Sequence, residues 1–127
     1  MEIRKAKIQE FSVVVELARK IFDNPSIVID EKDDVWVSAE KGKIFGFIHF
    51  SKRSEYVVLE GFGVLSVYRN RGAGTKLIET ALMELKDYEI HLKVKSNNDT
   101  AVSVYLKRGF VPKKIGNVQV LIRKPFN

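Results

Sequence analysis

Two stretches of this sequence combine reactive side chains and glycines at spacings that chemistry could use. The first is Tyr68-Arg69-Asn70-Arg71-Gly72-Ala73-Gly74-Thr75. A glycine turn that leads into a helix exposes consecutive backbone N–H groups, and the helix dipole adds partial positive charge, so such a turn is a nest for phosphate. Gly72 and Gly74 let a ligand approach the backbone, and Arg69 and Arg71 add charge beside it. The Walker pattern G-x-x-x-x-G-K-[ST] is absent. Neither Gly61-Phe62-Gly63 nor Gly72-Ala73-Gly74 supplies the third glycine of G-x-G-x-x-G. Nucleoside-triphosphate hydrolysis and Rossmann dinucleotide binding are therefore disfavoured. Taken alone, the stretch also reads as a plain helix start with two solvated arginines.

The second stretch begins about thirty residues later and runs Asn98-Asp99-Thr100-Ala101-Val102-Ser103-Val104-Tyr105-Leu106-Lys107-Arg108-Gly109-Phe110. Just upstream of the first stretch, Gly61 and Gly63 interrupt an apolar segment, and glycines inside a strand mark a bulge or a close approach by a backbone or ligand. Glu60 is the one acid in that segment, which makes it either a functional base or a residue at a solvated edge. His49 and His91 each read as half-exposed strand residues. They are not spaced as a metal pair, and no metal site can be assembled.

These residues need elements to position them. A strand is expected at Glu2–Lys5, then an amphipathic helix on Ile8, Phe11, Val15, Ala18 and Phe22, ended by Asn24-Pro25. Ser26–Asp34 carries the acids Asp30, Glu31, Asp33 and Asp34 without a helical period and reads as loop. Val35–Glu40 and Ile44–Ser51 form a hairpin about Lys41-Gly42, and Tyr56–Leu65 is a longer strand. Leu77, Ile78, Ala81, Leu82 and Leu85 make a second helical stripe that begins at Gly72. Ile90, Leu92 and Val94 alternate with His91, Lys93 and Lys95 as a half-exposed strand. A third helix starts near Asn98 and stops at Gly109, and Phe110–Pro112 and Val118–Arg123 close the chain as a hairpin about Gly116-Asn117. The fold class is α+β, a mixed and mostly antiparallel sheet with helices packed on both faces.

Composition agrees with one domain over residues 1–127. The chain is 45% apolar and 30% charged, with no repeat or linker. It contains no cysteine, which excludes disulfides, thiolate zinc sites and a cysteine nucleophile. The N-terminus, Met1-Glu2-Ile3-Arg4-Lys5, does not resemble a secretion signal, and no apolar run approaches the ~20 residues of a membrane span, so a cytoplasmic location is expected. Twenty-two Lys and Arg against sixteen Asp and Glu give a net charge of +6, which points to an anionic partner, phosphate above all. Lys93, Lys95, Lys107, Arg108, Lys113 and Lys114 are candidates to meet a ligand phosphate, although solvated charge is the plainer reading.

Together the two motifs resemble those of the GNAT superfamily of acetyl-coenzyme A dependent N-acetyltransferases. Arg69, Gly72 and Gly74 match its Arg/Gln-x-x-Gly-x-Gly/Ala signature, approached through Val64 and Tyr68, while Asn98, Ala101, Tyr105, Gly109 and Phe110 match Asn-x-x-Ala-x-x-x-Tyr-x-x-x-Gly-Phe. The element order resembles the family's minimal fold over the whole chain. The resemblance implies a sheet splayed between its fourth and fifth strands with acetyl-CoA, the co-substrate, in the gap. It implies a bulge at Gly61 and Gly63, cofactor contacts at Phe62, Gly63 and Val64, a pyrophosphate on Arg69, Asn70, Arg71, Gly72, Ala73, Gly74 and Thr75, and an Asn98 bond to the pantetheine arm. It implies that Tyr105 is the general acid. A phenol with pKa near ~10 stays protonated at neutral pH and can donate to the departing thiolate. Packing of Tyr105 beside Ala101 is the plain alternative.

The acceptor is then an amine, which as an ammonium with pKa near ~10.4 must lose a proton before it attacks. Glu60 stands where many members carry a carboxylate, and by simple alternation it shares a face with Phe62 and Val64. A water chain could do the same task. Asp23–Asp34 departs from the second helix that many relatives place there, so the acceptor wall is expected to be short or irregular. A small-molecule amine such as a polyamine, drawn by the acids, and a peptide or protein amine both remain open, as does a homodimer. The other functional class is a non-catalytic module of the same fold, either a coenzyme A sensor or a basic surface for nucleic acid. Nucleic acid is disfavoured by the lack of an aromatic RNA-binding motif or a reading helix.

Overall fold

The computed structural model describes residues 1–23 and 26–125. Its elements are strand β1 (Glu2–Lys5), helix α1 (Phe11–Ile21), strands β2 (Asp34–Glu40), β3 (Lys43–Lys52) and β4 (Val57–Val64), helix α2 (Ala73–Glu84), strand β5 (Ile90–Lys95), helix α3 (Asp99–Leu106), and strands β6 (Val111–Lys114) and β7 (Val118–Arg123). The seven strands form one sheet in the order β1-β2-β3-β4-β5-β7-β6. Every neighbouring pair is antiparallel except β4 and β5, which are parallel. Among the described residues no helix is long and apolar enough to cross a membrane.

β2 and β3 are near-continuous apolar runs because both of their faces are covered. On one face Trp36, Ile48, Phe50 and Leu59 pack with Leu77, Ile78 and Ala81 of α2, and Tyr105 of α3 joins that core. On the other, Val35, Val37 and Phe47 pack with Val14, Leu17 and Ala18 of α1. Each such Leu, Ile or Phe contributes about 1.5–3 kcal/mol by leaving water. The β2–β3 turn holds Lys41 and Gly42 at φ of 51° and 80°, the left-handed pair that matches the twist of a two-residue hairpin.

The first helix differs from the sequence expectation. Ile8–Glu10 forms a 3-10 turn with Ile8 exposed, and the buried stripe is Val14, Leu17 and Ala18, rather than one on Ile8, Val15 and Phe22. Apolar residues at 13, 14, 15, 17 and 18 suit more than one stripe, and contact with β2 and β3 selects the face. The helix ends at Ile21, where Phe22 turns extended at φ −116°; the expected stop, Asn24-Pro25, lies outside the described residues. Residues 26–33 form no helix, as the sequence implied, and Asp34 opens β2.

A bulge in β4 decides the shape of the sheet. His49 pairs with Gly61 and Phe50 with Leu59, so Glu60 is the extra residue. The expected bulge at Gly61 and Gly63 therefore falls earlier in the strand, at Glu60. β4 and β5 pair only at Val57 with Ile90 and Val58 with His91, and they separate as β4 approaches the bulge. A bulge bends its strand and increases the local twist, which carries the rest of β4 away from β5.

Candidate active site

The separation leaves the β5-side edge of β4 open. Leu65 donates its N–H to Phe45 of β3, and backbone groups alternate between the two edges, so Val64 and Phe62 present theirs to the gap. Arg69 confirms the direction, since its Nε donates to the Val64 carbonyl at 3.2 Å. Gly63 faces α1. A Cβ there would sit 3.0 Å from both Ile21 and Phe22, so glycine permits the close approach of the end of α1.

Beyond β4 the chain turns into α2. Gly72 caps the helix at φ +81°, a left-handed conformation that glycine adopts without strain. The first intrahelical bond runs from Lys76 N–H to the Gly72 carbonyl, which leaves the N–H groups of Ala73, Gly74 and Thr75 without helical partners. Space above them is open, for a Cβ on Gly72 would meet nothing within 4 Å. Across the gap, the Asn98 side chain accepts from Ala101 N–H and so starts α3.

These parts enclose a cavity of about 550 Å³. Phe62, Gly63, Val64, Arg69, Asn70, Gly72, Ala73, Gly74, Thr75, Asn98 and Tyr105 all line it, which unites every residue expected to hold acetyl-CoA except Arg71. Arg71 turns outward, bonds Glu40 at 3.1 Å and lies over the Tyr68 ring. None of Lys93, Lys95, Lys107, Arg108, Lys113 and Lys114 lines the cavity. Free N–H groups at a helix start, an open strand edge and an apolar floor suit a ligand with a diphosphate at one end and an amide-bearing arm.

Tyr105 is 8% exposed, and its ring meets Phe110 edge-on at 5.7 Å. Burial pushes its phenol up to about 12. No described protein group bonds the hydroxyl, so it remains a protonated donor available to the cavity.

Glu60 is not in this cavity. The bulge inverts the alternation, so Glu60 does not share the face of Phe62 and Val64 as expected. Its carboxylate accepts from Ser51 Oγ at 2.6 Å, lies 3.5 Å from Arg53, and is 37% exposed. There it lines a second cavity of about 410 Å³ with Ala18, Phe22, Ile27, Val28, Phe47 and His49. Phe22 lines both cavities, and Gly61-Phe62-Gly63 bridges from one to the other along β4.

His49 also departs from expectation. It is 1% exposed rather than half-exposed, and its Nε2 lies 2.8 Å from Asp33. Sequence reasoning missed this pair, although the hairpin register, which sets Val35 opposite His49, brings Asp33 near it. His91 is half-buried, stacks on Tyr56 at 3.9 Å and bonds Glu89 at 2.6 Å. Among the described residues no group of three or more His, Asp or Glu could hold a metal ion.

A sequence profile for the acetyltransferase (GNAT) family matches residues 3–110. No curated protein sequence matches the chain significantly. Solved structures share the fold at low identity. The ribosomal-protein-S18-alanine N-acetyltransferase from Escherichia coli is 17% identical, with a TM-score of 0.85 over 99% of this chain and 94% of that one. Naa50 from Arabidopsis thaliana, in complex with the bisubstrate analogue CoA-Ac-MVNAL, is 20% identical, with a TM-score of 0.75 over 98% and 99%. The PaiA N-acetyltransferase from Thermoplasma acidophilum, in complex with coenzyme A, is 18% identical, with a TM-score of 0.74 over 98% and 99%.

Proposed function

The chain belongs to the GNAT acetyltransferase family and uses acetyl-CoA as its co-substrate; from this we propose that it acetylates a primary amine by direct attack in a ternary complex. The observation that carries the reading is the pair of cavities joined along β4, with Tyr105 in the larger and Glu60 in the smaller. A cysteine-acyl intermediate is chemically impossible in a chain without cysteine.

In the larger cavity the N–H groups at the start of α2 take the pyrophosphate, with Arg69 beside them. Phe62 and Val64 offer backbone groups to the pantetheine arm and the thioester carbonyl, and Asn98 bonds the arm. Glu60 removes a proton from the acceptor ammonium, which frees the nitrogen lone pair to form the new N–C bond at the carbonyl carbon. The nitrogen of the adduct, cationic once the N–C bond has formed, loses its second proton to water as the C–S bond breaks. Tyr105 gives its own proton to the departing sulfur and is reprotonated from solvent. General acid–base steps of this kind each contribute about 10²–10⁴ in rate.

The reading is tested by calorimetric titration of acetyl-CoA into wild type and Gly74→Glu, with free thiol followed over a panel of amines. Gly74 is the position to alter, because a Cβ there makes only ordinary contacts, 3.7 Å to Phe62, whereas Gly72 would also be strained. Saturable binding lost in the variant, and thiol release with an amine, are expected. Failure of folded wild type to bind acetyl-CoA would overturn the assignment of the cavity, and binding with no turnover on any amine would overturn the mechanism.

A further inference from the structure

We infer, resting on the function proposed above, that the acceptor is an α-amino carbonyl compound with an uncharged apolar side chain, and that this side chain occupies the smaller cavity. Of the residues that line it, Ala18, Phe22, Ile27, Val28 and Phe47 are apolar. Glu60 is the one carboxylate on its wall. His49 adds no counter-charge for an amine: its Nε2 is engaged by Asp33, and its Nδ1 is shielded from solvent without a partner. An amine at Glu60 thus finds one counter-charge, shared with Arg53 at 3.5 Å, and what extends from it into this cavity meets mostly hydrocarbon, with Ser26 and the His49 ring as the polar exceptions.

The acidic segment does not change that. Asp33 accepts from His49 and from Asp30 N–H, Asp30 accepts from Lys32 N–H, and buried Asp34 is paired with Lys5 at 2.7 Å. Two of the four carboxylates thus shape the turn and a third is ion-paired, which leaves Glu31 without a partner among the described residues. A second ammonium, as in a polyamine, would find no second carboxylate on this wall, and losing part of its water against hydrocarbon is unfavourable.

Glu60 has a different neighbour on its other side. It also borders a cavity of about 360 Å³ that includes Arg53, Tyr56, His91 and Lys93. Lys93, the Arg53 guanidinium beside Glu60 and the stacked rings of Tyr56 and His91 suit the carbonyl-bearing side of the molecule, whether a peptide continuing from its N-terminal residue or the carbonyl of a free amino-acid amide. One amine at Glu60, with an apolar group on one side and carbonyls on the other, describes an α-amino acid unit.

The test follows thiol release with acetyl-CoA and these acceptors: tetrapeptides that differ only in a first residue of Ala, Val, Met, Lys or Glu; alaninamide and valinamide; Nα-acetyl-lysine amide; and spermidine. Wild type should prefer apolar-first α-amines to spermidine and Nα-acetyl-lysine amide by about tenfold or more in kcat/KM, the scale of one or two methylenes in an apolar pocket. Ile27→Glu and Val28→Glu should reduce kcat/KM for apolar-first peptides about tenfold and narrow the gap to the Lys-first peptide. Val28 is 82% exposed, so its variant keeps the fold. Calorimetry of acetyl-CoA should be unchanged in both variants, which separates failure of this inference from failure of the cofactor assignment. Peptides superior to amides would identify a chain N-terminus as the source, and parity a free amine; either supports the acceptor class. Equal or better turnover of spermidine or Nα-acetyl-lysine amide would overturn it, as would acetyl-CoA binding with no turnover of any α-amine.

Discussion

Glu60 and Tyr105 divide the proposed proton transfers between two environments, and the difference sets what each substitution should do. Glu60 is partly solvated and hydrogen-bonded by Ser51. Glu60→Gln keeps the shape and removes the base, so kcat/KM at pH 7 should fall about 100-fold. The deficit should shrink as pH rises, because more of the amine is then already deprotonated. A parallel drop at every pH would remove Glu60 from the proton transfer. Tyr105 is buried and titrates only at about 12, so its acid form persists throughout the working range. Tyr105→Phe should lower kcat about 100-fold. Stability should change by less than about 0.5 kcal/mol, since no described protein group bonds the hydroxyl; denaturant melts and initial rates together check both halves. The placement of Tyr105 was legible in a motif, because the tyrosine lies one helical turn beyond Ala101 on a helix that Asn98 caps. The face of Glu60 was not legible, since alternation counted along β4 gives the opposite answer once a single residue bulges out.

Between β1 and α1 the connection is fastened by one fork. Arg4 donates through both terminal nitrogens to Glu10 at 2.8 Å each, and Glu10 also accepts from Lys7 N–H at 2.9 Å. The Arg4 bond above all holds the Glu10 carboxyl down at about 2, and Glu10 in turn raises Arg4. A carboxyl lowered by folding stabilises the native state fully above its unfolded pKa. That contribution should be present above pH ~4.5 and lost as pH falls toward 2. Urea melts of Glu10→Gln should be less stable than wild type at pH 7, with the gap closing across that window; a constant gap would mean that the fork is not what titrates. Most elements were readable because their signals are local. A two-residue turn, an N-cap and a period of two need only neighbours in sequence. The offset stripe of α1 was not, because several apolar faces were available and the sheet chose among them.

At the scale of the molecule, seven strands in one sheet present a break rather than a continuous surface, and ligand binding in that break should stabilise the whole fold. With acetyl-CoA at about 100 times its Kd, the native state should gain about 2.7 kcal/mol. Thermal melts should show the gain in wild type and its absence in Gly74→Glu. A shift of equal size in both would detach binding from the start of α2. The amino-acid sequence by itself determined the element order, the α2 and α3 helix starts, the lack of thiol chemistry and the family resemblance, since each rests on residue types at short spacings. Tertiary structure decided which way Glu60 faces, that Arg71 leaves the cavity for Glu40, that His49 is buried against Asp33, and that an apolar cavity lies beside the carboxylate. Those outcomes depend on register and on contacts between segments far apart in the chain, where one extra residue in a strand moves a side chain to the other face of the sheet.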